Sequence, residues 1–426
     1  MKLNLFMFFI LCGAISTAAQ TSLKFDFGAG KVEKSFTGVS AKDVYSEEKG
    51  YGFEPDQEIV CVDRNDKNAL RSDFCTSDQP FYFSAKVPEG NYKVTVTFGD
   101  RNDAAGLTVK AELRRLMLEK VATAKGKFRA ATFVVNVRNP RFPGGEVKLK
   151  EREKTMEWWA WDDKLTLEFN GARPAINAVE IEKIDTLPTI FILGDSTVCD
   201  QPREPYASWG QMLTTFFKPE IAVANHAESG ESLRSSLGAK RLDKVLSLMK
   251  PGDFLLIQYG HNDEKDKTEG AGAFTTYKAN LIKFVRSARA KGGVPILLTP
   301  MHRRTFDAEG VIVNSHGDYP EAVRQVSREE NAPLVDLTAM SKDFYEALGK
   351  ERSAVAFKEG DGTHHNNYGA YEFARMIAAA IRAQNLAPSK YLVKDLPDFD
   401  PKKPDSFEAF AVPASPLTTD VKPFGN

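Results

Sequence analysis

The sequence predicts an all-β sandwich domain followed by a three-layer α/β domain, in which helices cover both faces of a parallel sheet. Its 426 residues exceed one typical domain of about 150. Short alternating apolar runs fill the first half, which is typical of antiparallel strands, whereas the second half alternates fully apolar runs with helical stretches. A net charge of −1, with 42% hydrophobic and 27% charged residues, excludes collagen-like, low-complexity and wholly disordered chains.

The first residues have the layout of a secretory signal peptide. Lys2 precedes an uncharged, largely apolar stretch over 5–15, and small residues follow it up to Ala19. Cleavage is therefore expected after Ala19, which gives a secreted or periplasmic mature chain. The stretch is too short to span a bilayer, which takes about 20 residues. A lipid anchor on Cys12 is disfavoured, because Leu11 stands where lipoprotein processing requires a small residue.

Residues 20–186 are expected to form the β-sandwich. Turn clusters such as Pro88–Asn91 separate its short apolar runs. The segment Val109–Val121 fits either a helix or a strand, and we expect a strand. The alternating runs are Leu23–Phe27, Phe81–Val87, Tyr92–Phe98, Ala131–Val137, Leu165–Phe169 and Ile176–Ile184. Because this half contains no histidine and no serine–base pattern, we predict that it performs no chemistry.

The cysteines suggest a disulfide and no structural metal. Cys61 and Cys75 lie in one loop-rich region, and an exported protein can bridge them; two buried free thiols are the alternative. Cys199 would be left unpaired. No Cys/His spacing of the kind that binds zinc occurs, so no metal site is predicted.

Three of the four tryptophans stand together, at Trp158, Trp159 and Trp161. We expect them to fill the sandwich core or its seam with the second domain. The alternative is that exposed rings stack on sugar faces. If the segment is a strand, Trp159 and Trp161 share one face and Trp158 points to the other.

Residues 187–391 are expected to form the α/β domain, and 392–426 a tail along the surface. The predicted strands are Thr189–Leu193, Ile221–Ala224, Phe254–Gln258, Val294–Thr299 and Pro333–Leu337. The predicted helices are Ser208–Phe217, Leu233–Met249, Phe274–Ala290, Tyr319–Glu330 and Tyr368–Ala383. Strands buried on both faces and separated by amphipathic helices indicate a parallel sheet.

Candidate site residues follow the ends of successive predicted strands. Ser196 follows the first strand, Gly230 the second and Asn262 the third. Because the carboxyl ends of parallel strands share one edge of the sheet, we expect these residues to converge. Each taken alone has a simpler explanation: a helix N-cap for Ser196, a turn glycine for Gly230 and an Asx-turn for Asn262.

A potential base and its orienting carboxylate stand near the end of the second domain. All six histidines lie in this half, and Asp361 precedes His364 by three residues ahead of a predicted helix. That spacing lets the carboxylate bind one imidazole nitrogen and leaves the other free to take a serine proton. His365 is the rival base; we expect it instead to be a neighbouring polar or substrate-facing residue.

Taken together, these residues resemble the SGNH (GDSL-like) hydrolases, and in particular their rhamnogalacturonan acetylesterase branch. The resemblance covers about residues 187–387, and the first half resembles the galactose-binding-type β-sandwich attached to some such esterases. It implies a three-layer, flavodoxin-like catalytic domain. The motifs that carry it are Phe191–Val198, Ser208–Gln211, Gly260–Asp263 and Asp361–His364 followed by Tyr368–Ala370.

The resemblance also implies roles for individual residues. Ser196 would be the nucleophile, His364 the base and then the acid, and Asp361 the group that orients His364. The backbone N–H groups of Ser196 and Gly230, with the Asn262 side chain, would form the oxyanion hole. No metal or organic cofactor is implied.

Two further residues, Arg234 and His302, are placed at the same edge of the sheet. Either could bind a uronate carboxylate. The alternative for each is ordinary surface charge.

The implied function is a serine carbohydrate esterase that removes acetyl groups from a pectic polysaccharide, rhamnogalacturonan above all. Alternatives are xylan or another glycan, a lipid ester, or a carbohydrate-binding protein with a degenerate esterase half. A lipid ester is disfavoured because no long apolar lid is visible. Near-neutral charge without a basic run argues against a nucleic-acid partner.

Overall fold

The computed structural model describes residues 22–424 of the chain. The predicted signal peptide, its cleavage after Ala19 and the possible anchor at Cys12 all lie outside the described residues. Within 22–424, none of the helices combines the length and apolar character needed to cross a membrane.

The N-terminal half is a β-sandwich, as predicted. Short helices α1 (Ala69–Ser72) and α2 (Glu151–Thr155) interrupt it. Its strands are β1 (Ser22–Phe27), β2 (Thr37–Val39), β3 (Tyr51–Phe53), β4 (Val60–Asp63), β5 (Asp73–Thr76), β6 (Phe81–Lys86), β7 (Gly90–Asp100), β8 (Ala105–Ala111), β9 (Arg115–Thr123), β10 (Lys127–Val137), β11 (Arg141–Phe142), β12 (Gly145–Glu146), β13 (Lys164–Arg173) and β14 (Ile176–Lys183).

Two sheets face each other across this domain. One contains β10-β7-β14-β1-β2, with β5 beside β14 and β4 beside β5, and the other has the order β3-β6-β13-β8-β9. Inward-pointing residues of both sheets form one apolar core, in which Phe27 and Phe83 meet edge to face with ring centroids 4.8 Å apart. The alternating runs of the sequence are therefore the inner faces of a sandwich.

The single strand predicted over Val109–Val121 is wrong, because the segment belongs to a hairpin of β8 and β9. Glu112 and Arg114 take positive φ values of 54° and 61° at its turn. Non-glycine residues rarely adopt this conformation, so the sequence does not signal the turn.

The predicted disulfide is present, between Cys61 on β4 and Cys75 on β5. The two cysteines stand directly opposite in the antiparallel pair, and 14 positions separate them in the chain. Cys75 belongs to the sandwich core, so the bridge fastens the outermost strand β4 to that core. Cys199 is buried and unpaired.

Replacing both Cys61 and Cys75 by alanine is expected to lower the free energy of unfolding by about 3 kcal/mol, because the unfolded chain then gains the entropy of an open loop. Urea unfolding of the double variant and of the unchanged chain would measure this difference. Cys199→Ala serves as the control for loss of a thiol. Unchanged stability, or two free thiols in the native chain, would contradict the prediction.

The C-terminal half is a parallel α/β domain, as predicted. Its strands β15 (Thr189–Gly194), β16 (Ala222–Asn225), β17 (Phe254–Gln258), β18 (Val294–Leu298) and β19 (Leu334–Val335) form one sheet in the order β16-β15-β17-β18-β19. The helices are α3 (Trp209–Met212), α4 (Leu233–Gly238), α5 (Arg241–Leu248), α6 (Lys278–Ala290), α7 (Tyr319–Glu329), α8 (Leu337–Leu348) and α9 (Asn367–Ala383). Separate apolar cores cover the two faces of the sheet, so the domain has three layers.

The structure adds helix α8, which was not predicted, and it divides one predicted helix and shortens one predicted strand. The long helix predicted over Leu233–Met249 is two helices, because Lys240 takes a left-handed conformation with φ 62° between α4 and α5. The strand predicted over Pro333–Leu337 shortens to β19, since the Asp336 carboxylate accepts a hydrogen bond from the Ala339 N–H and caps α8 there. None of these changes moves the edge of the sheet where the candidate residues converge.

The tryptophan segment lies at the seam between the domains. Trp158–Ala160 is a 3₁₀ helix, so the alternation expected of a strand is wrong. Trp161 is buried, its ring meets the His226 ring edge to face at 6.1 Å, and the Arg138 guanidinium lies 4.5 Å from its centre. Trp158 remains 43% exposed. The favoured interdomain role therefore holds for Trp161 and not for Trp158.

Buried ion pairs also join the two domains. Arg115 Nε lies 2.7 Å from Asp200 Oδ2, and Arg114 Nη2 lies 2.6 Å from Glu204 Oε1. All four side chains are buried. Leu116 inserts into the apolar core of the C-terminal domain. The C-terminal domain is therefore completed by groups that the sandwich supplies.

Expressing residues 187–426 alone is expected to give a fragment that aggregates or melts roughly 10 °C or more below the full chain. Asp200 and Glu204 would lose their arginines, and leaving one member of a buried pair typically costs about 3–5 kcal/mol. Scanning calorimetry of the fragment and the full chain would measure the difference. A fragment that melts with the full chain would instead favour an independent sugar-binding module.

The C-terminal tail does more than follow the surface of its own domain. The Lys110 ammonium of β8 donates to the Pro413 carbonyl and the Ser415 hydroxyl, at 2.8 and 2.7 Å. Beyond that contact, the backbone of Glu204 pairs with that of Leu417 and Thr419. The tail thus crosses the seam and returns to the loop after β15.

Candidate active site

Ser196 lies in a tight turn directly after β15. The Asp195 carbonyl accepts hydrogen bonds from the Val198 and Cys199 N–H groups, both at 3.0 Å, which close the turn. The Ser196 carbonyl accepts from the Ser208 hydroxyl at 2.7 Å and the Gln201 amide at 2.8 Å. These bonds hold the serine backbone in one orientation, so that its hydroxyl projects beyond the edge of the sheet.

Ser196, His364 and Asp361 form a continuous chain of hydrogen bonds. Ser196 Oγ is 2.9 Å from His364 Nε2, and His364 Nδ1 is 2.9 Å from Asp361 Oδ2. The other carboxylate oxygen accepts from the N–H groups of Thr363 and His364, at 2.8 and 3.1 Å. All three members of the chain are buried. The structure therefore brings together three residues that the sequence separates by up to 168 positions.

The Asp361 carboxylate is held in its charged form. Burial by itself would raise the pKa of Asp361, but the hydrogen bond from His364 and those from the two backbone N–H groups outweigh it, and the pKa lies well below its usual range. The Lys422 ammonium of the tail is 3.6 Å from the same carboxylate. A charged carboxylate here can stabilise an imidazolium that forms when His364 takes a proton.

Gly230 and Asn262 stand on two loops that are tied to each other. Gly230 has φ 74°, a conformation that favours glycine. The Asn262 amide donates to the Glu231 carbonyl at 2.9 Å, and the Leu233 N–H donates to the Asp263 carboxylate at 2.9 Å. Two hydrogen bonds therefore join the loops after β16 and β17.

The sandwich domain helps to hold the Gly230 loop. The Lys150 ammonium donates to the Ser229 carbonyl and lies 3.0 Å from the Glu231 carboxylate. Arg241 contacts Glu231 and forms a two-pronged pair with Glu153 of α2. Sequence reasoning missed this contribution, since no motif marks residues 150–153.

His365 does not face a substrate, which contradicts the prediction. Its side chain is buried against the rings of Phe357 and Phe373, and its Nε2 is 2.8 Å from the Tyr345 hydroxyl. Burial lowers the pKa of His365 to about 3, so the ring is neutral. It is a packed core histidine, because the chain reverses its side-chain direction from His364 to the next residue.

The two proposed uronate ligands are placed differently from each other. His302 is buried and lies parallel to His316, and burial lowers its pKa to about 4, so it carries no charge near neutral pH. Arg234 lies on α4 and is half exposed, but its guanidinium is 3.0 Å from the Asp266 carboxylate. Neither offers an uncompensated positive charge to a carboxylate.

Within residues 22–424, one group of side chains has metal-ligating geometry, formed by the buried carboxylates of Glu153, Glu157 and Glu228. Arg241 binds Glu153 through two nitrogens, and Arg152 pairs with Glu157 at 2.5 Å. Because guanidinium groups balance two of these carboxylates, and burial raises the pKa of the third, Glu228, we interpret the group as part of the seam between the domains.

Comparison with known proteins adds five findings. The model of the GDSL-like lipase/acylhydrolase family matches residues 192–372, and the β-agarase/YXIM esterase-like, galactose-binding domain-like model matches residues 23–130. The chain is 36% identical over 219 residues to rhamnogalacturonan acetylesterase RhgT of Bacillus subtilis strain 168, an alignment that covers 48% of this chain and 94% of RhgT. All the candidate residues described above, from Ser196 to His364, fall within 192–372.

Two of these findings concern one protein. The chain is 29% identical over 387 residues to the uncharacterized esterase YxiM of the same strain, covering 88% of this chain and 94% of YxiM. The crystal structure of Bacillus subtilis YxiM shares 28% identity, covers 86% of this chain and 99% of that one, and superposes with a TM-score of 0.48. The sequence alignment with YxiM therefore extends over both halves of the chain.

Proposed function

Since the chain belongs to the GDSL-like lipase/acylhydrolase family and is a carboxylic ester hydrolase, we propose that it removes O-acetyl groups from rhamnogalacturonan, through an acetyl-enzyme on Ser196. The observation that carries the chemistry is the unbroken Ser196–His364–Asp361 chain, with both side-chain hydrogen bonds at 2.9 Å. The substrate rests on the 36% identity to a relative named as a rhamnogalacturonan acetylesterase.

The proposed reaction proceeds in two halves. His364 Nε2 takes the Ser196 hydroxyl proton as Oγ attacks the acetyl carbonyl carbon, and a tetrahedral oxyanion forms. His364 then returns the proton to the sugar oxygen as the ester C–O bond breaks, which leaves acetyl-Ser196. In the second half, His364 takes a proton from water as the water oxygen attacks the acetyl carbon, and it returns that proton to Ser196 Oγ as the Oγ–C bond breaks and acetate leaves. Asp361 keeps its charge throughout and orients His364.

The oxyanion is assigned three donors: the N–H groups of Ser196 and Gly230 and the Asn262 amide. Their support is the pair of hydrogen bonds that join the Gly230 and Asn262 loops, since donors fixed before reaction need no reorganisation. Burial of Ser196 and His364 strengthens these interactions by excluding water.

Replacing Asn262 by alanine is expected to lower kcat about 10²- to 10³-fold with little change in KM, because the lost donor acts mainly on the oxyanion. Steady-state kinetics on 4-nitrophenyl acetate would show this. Asn314→Ala, in a loop of the same domain, controls for the loss of an amide. An effect confined to KM would remove Asn262 from the oxyanion hole.

Released acetate, measured on a panel of polymers, tests the substrate. The panel is acetylated rhamnogalacturonan, acetylated homogalacturonan, acetylated xylan and an emulsified triacylglycerol. The proposal expects the highest kcat/KM on acetylated rhamnogalacturonan. A preference for xylan or lipid would contradict the proposed substrate. If none of the four released acetate, the proposed acetylesterase activity would be wrong.

We further propose that the enzyme acts outside the cytoplasm. The signal-peptide-like start of the sequence and the Cys61–Cys75 bridge support this location, since disulfides persist in oxidising compartments. N-terminal sequencing of the protein recovered from its native host is expected to begin at Gln20. An uncleaved cytoplasmic protein would contradict the proposal.

A further inference from the structure

A cavity of about 640 Å³ opens beside the candidate active site, where three separate parts of the chain meet. This size is typical of sites for small ligands. The sandwich domain contributes residues from 150 to 156, the loop after β15 contributes residues from 201 to 206, and the tail contributes residues from 419 to 424. Gly230 completes its wall.

Three residues of the cavity wall contact the candidate catalytic residues. The Gln201 amide, in its wall, donates to the Ser196 carbonyl at 2.8 Å. The Tyr206 ring meets the His364 ring edge to face, with centroids 6.0 Å apart. The Lys422 ammonium is 3.6 Å from Asp361 Oδ2. A sugar in this cavity would therefore lie close to the ester that reacts at Ser196.

The lining carries an excess of positive charge. Lys150, Arg152, Arg203 and Lys422 are cationic, against one carboxylate, that of Glu151. Three of these cations already have carboxylate partners: Lys150 pairs with Glu231, Arg152 with Glu157 and Lys422 with Asp361.

Arg203 differs from the other cations of the lining. Over the described range 22–424, its half-buried guanidinium has neither a hydrogen-bond partner nor an ion-pair partner. A planar guanidinium in this state is suited to bind a carboxylate through two parallel hydrogen bonds.

The tail adds an apolar surface opposite these charges. The Phe424 side chain lines the cavity while remaining 60% exposed, and its Cβ comes close to Gly230. An exposed aromatic ring of this kind can stack on the apolar face of a sugar. Hydrogen bonds between the backbones of Glu204 and both Leu417 and Thr419, each 2.8 Å, hold the tail beside the residue that follows Arg203.

We propose that this cavity is the subsite for a uronic acid adjacent to the acetylated sugar, with the Arg203 guanidinium binding its carboxylate and Phe424 stacking on the ring. The inference rests on the proposed function, because it assumes a glycan substrate that contains an acidic sugar. The carboxylate contact that the sequence led us to expect from Arg234 or His302 is thereby assigned to Arg203, which no sequence motif indicated.

Calorimetric titration with a matched pair of oligosaccharides tests the subsite without requiring turnover. One probe is an unacetylated rhamnogalacturonan hexasaccharide; the other is the same hexasaccharide with its carboxylates reduced to primary alcohols. The full chain is expected to bind the acidic probe more tightly. Arg203→Gln should raise Kd for the acidic probe roughly 10- to 100-fold and leave the reduced probe within about twofold. Phe424→Ala should weaken both probes alike.

Control variants make the outcome specific. Arg129→Gln removes one charge from an exposed position of β10 outside the cavity and should change neither Kd. Arg203→Lys keeps the charge and loses the two-pronged geometry, so its Kd for the acidic probe should lie between the values of the unchanged chain and Arg203→Gln. If Arg203→Gln does not fold, Arg203→Lys takes its place in the test. Three outcomes would overturn the inference: Arg203→Gln weakens binding of both probes equally, it does not weaken binding of the acidic probe, or Arg234→Gln weakens that binding instead.

The two proposals fail in distinguishable ways. If acetylated rhamnogalacturonan releases no acetate but Arg203-dependent binding of the acidic probe persists, the proposed function fails and the subsite stands. If acetate is released and the chain does not distinguish the acidic probe from the reduced one, the subsite fails and the proposed function stands.

Discussion

Replacing Ser196 by alanine is expected to lower kcat on a small acetyl ester by about 10⁴- to 10⁶-fold, to the level left by binding and the oxyanion donors alone. The variant retains His364 but has no oxygen within reach of its Nε2. His364→Ala should cost about as much, because a serine hydroxyl is a poor nucleophile without a base. Initial rates on 4-nitrophenyl acetate at saturating substrate would measure both losses.

Non-additivity provides a sharper test of the same unit. The Ser196→Ala, His364→Ala double variant should be no slower than either single variant, because each change already disables the same proton transfer. Ser46→Ala, at an exposed position of the sandwich, is the matched control and should keep full activity. A folded Ser196→Ala protein with near-normal turnover would show that the hydrolysis uses another nucleophile.

Replacing Asp361 by asparagine is expected to lower kcat about 10⁴-fold while the fold is kept. The amide side chain can present an N–H group to His364 Nδ1, which favours the tautomer whose proton lies on Nε2, and that nitrogen can then no longer accept the Ser196 proton. Asp185→Asn, at an exposed position between the domains, controls for the change from acid to amide. Comparable losses in kcat for both variants would remove Asp361 from the mechanism.

The pH profile separates this orienting role from a merely structural one. The pKa of Asp361 lies well below its usual range, so the carboxylate stays charged across the working pH range. Acidification then inactivates the enzyme by protonating His364, and kcat/KM should fall tenfold per pH unit on that limb. In Asp361→Asn, which lacks the charge that stabilises an imidazolium, the limb should move to lower pH. An unmoved limb would contradict the assignment.

Although we predict that the sandwich domain performs no chemistry, its side chains contact the loops of the candidate site across the buried seam. Lys150 reaches from the sandwich to the Ser229 carbonyl, one residue before Gly230. Arg115 neutralises Asp200, four residues after Ser196. Both contacts hold loops that carry proposed oxyanion donors, so the sandwich acts as a support for the candidate site.

Much of the fold and of the candidate site could be predicted from the sequence because the signals are local. Alternation with period two identified the sandwich strands, and apolar runs identified the parallel strands to within a few residues. Each of Ser196, Gly230 and Asn262 directly follows its own strand, and parallel strands deliver their carboxyl ends to one edge. His364 could be paired with Asp361 because only three residues separate them.

Other predictions failed where the outcome depends on contacts distant in sequence. The sequence does not distinguish His365 from His364 as a residue of the site. Only the structure shows that the His365 ring packs against Phe357 and Phe373 in the core. The break between α4 and α5 depends on the left-handed conformation of Lys240, which a lysine in the sequence does not predict.

The sequence by itself determined the order of the two domains, the chemical groups available for ester hydrolysis and the edge of the sheet where they meet. Only the tertiary structure decided which charges surround that edge. Lys150, Arg203 and Phe424 come from a sandwich loop, a strand-end loop and the tail, and no periodicity links them. Their meeting depends on burial of Trp161 and of the Arg115–Asp200 pair at the seam, which docks one domain on the other. Such long-range packing leaves no pattern in the sequence, because sequence periodicity reflects the structure of neighbouring residues and these contacts join segments that are far apart in the chain.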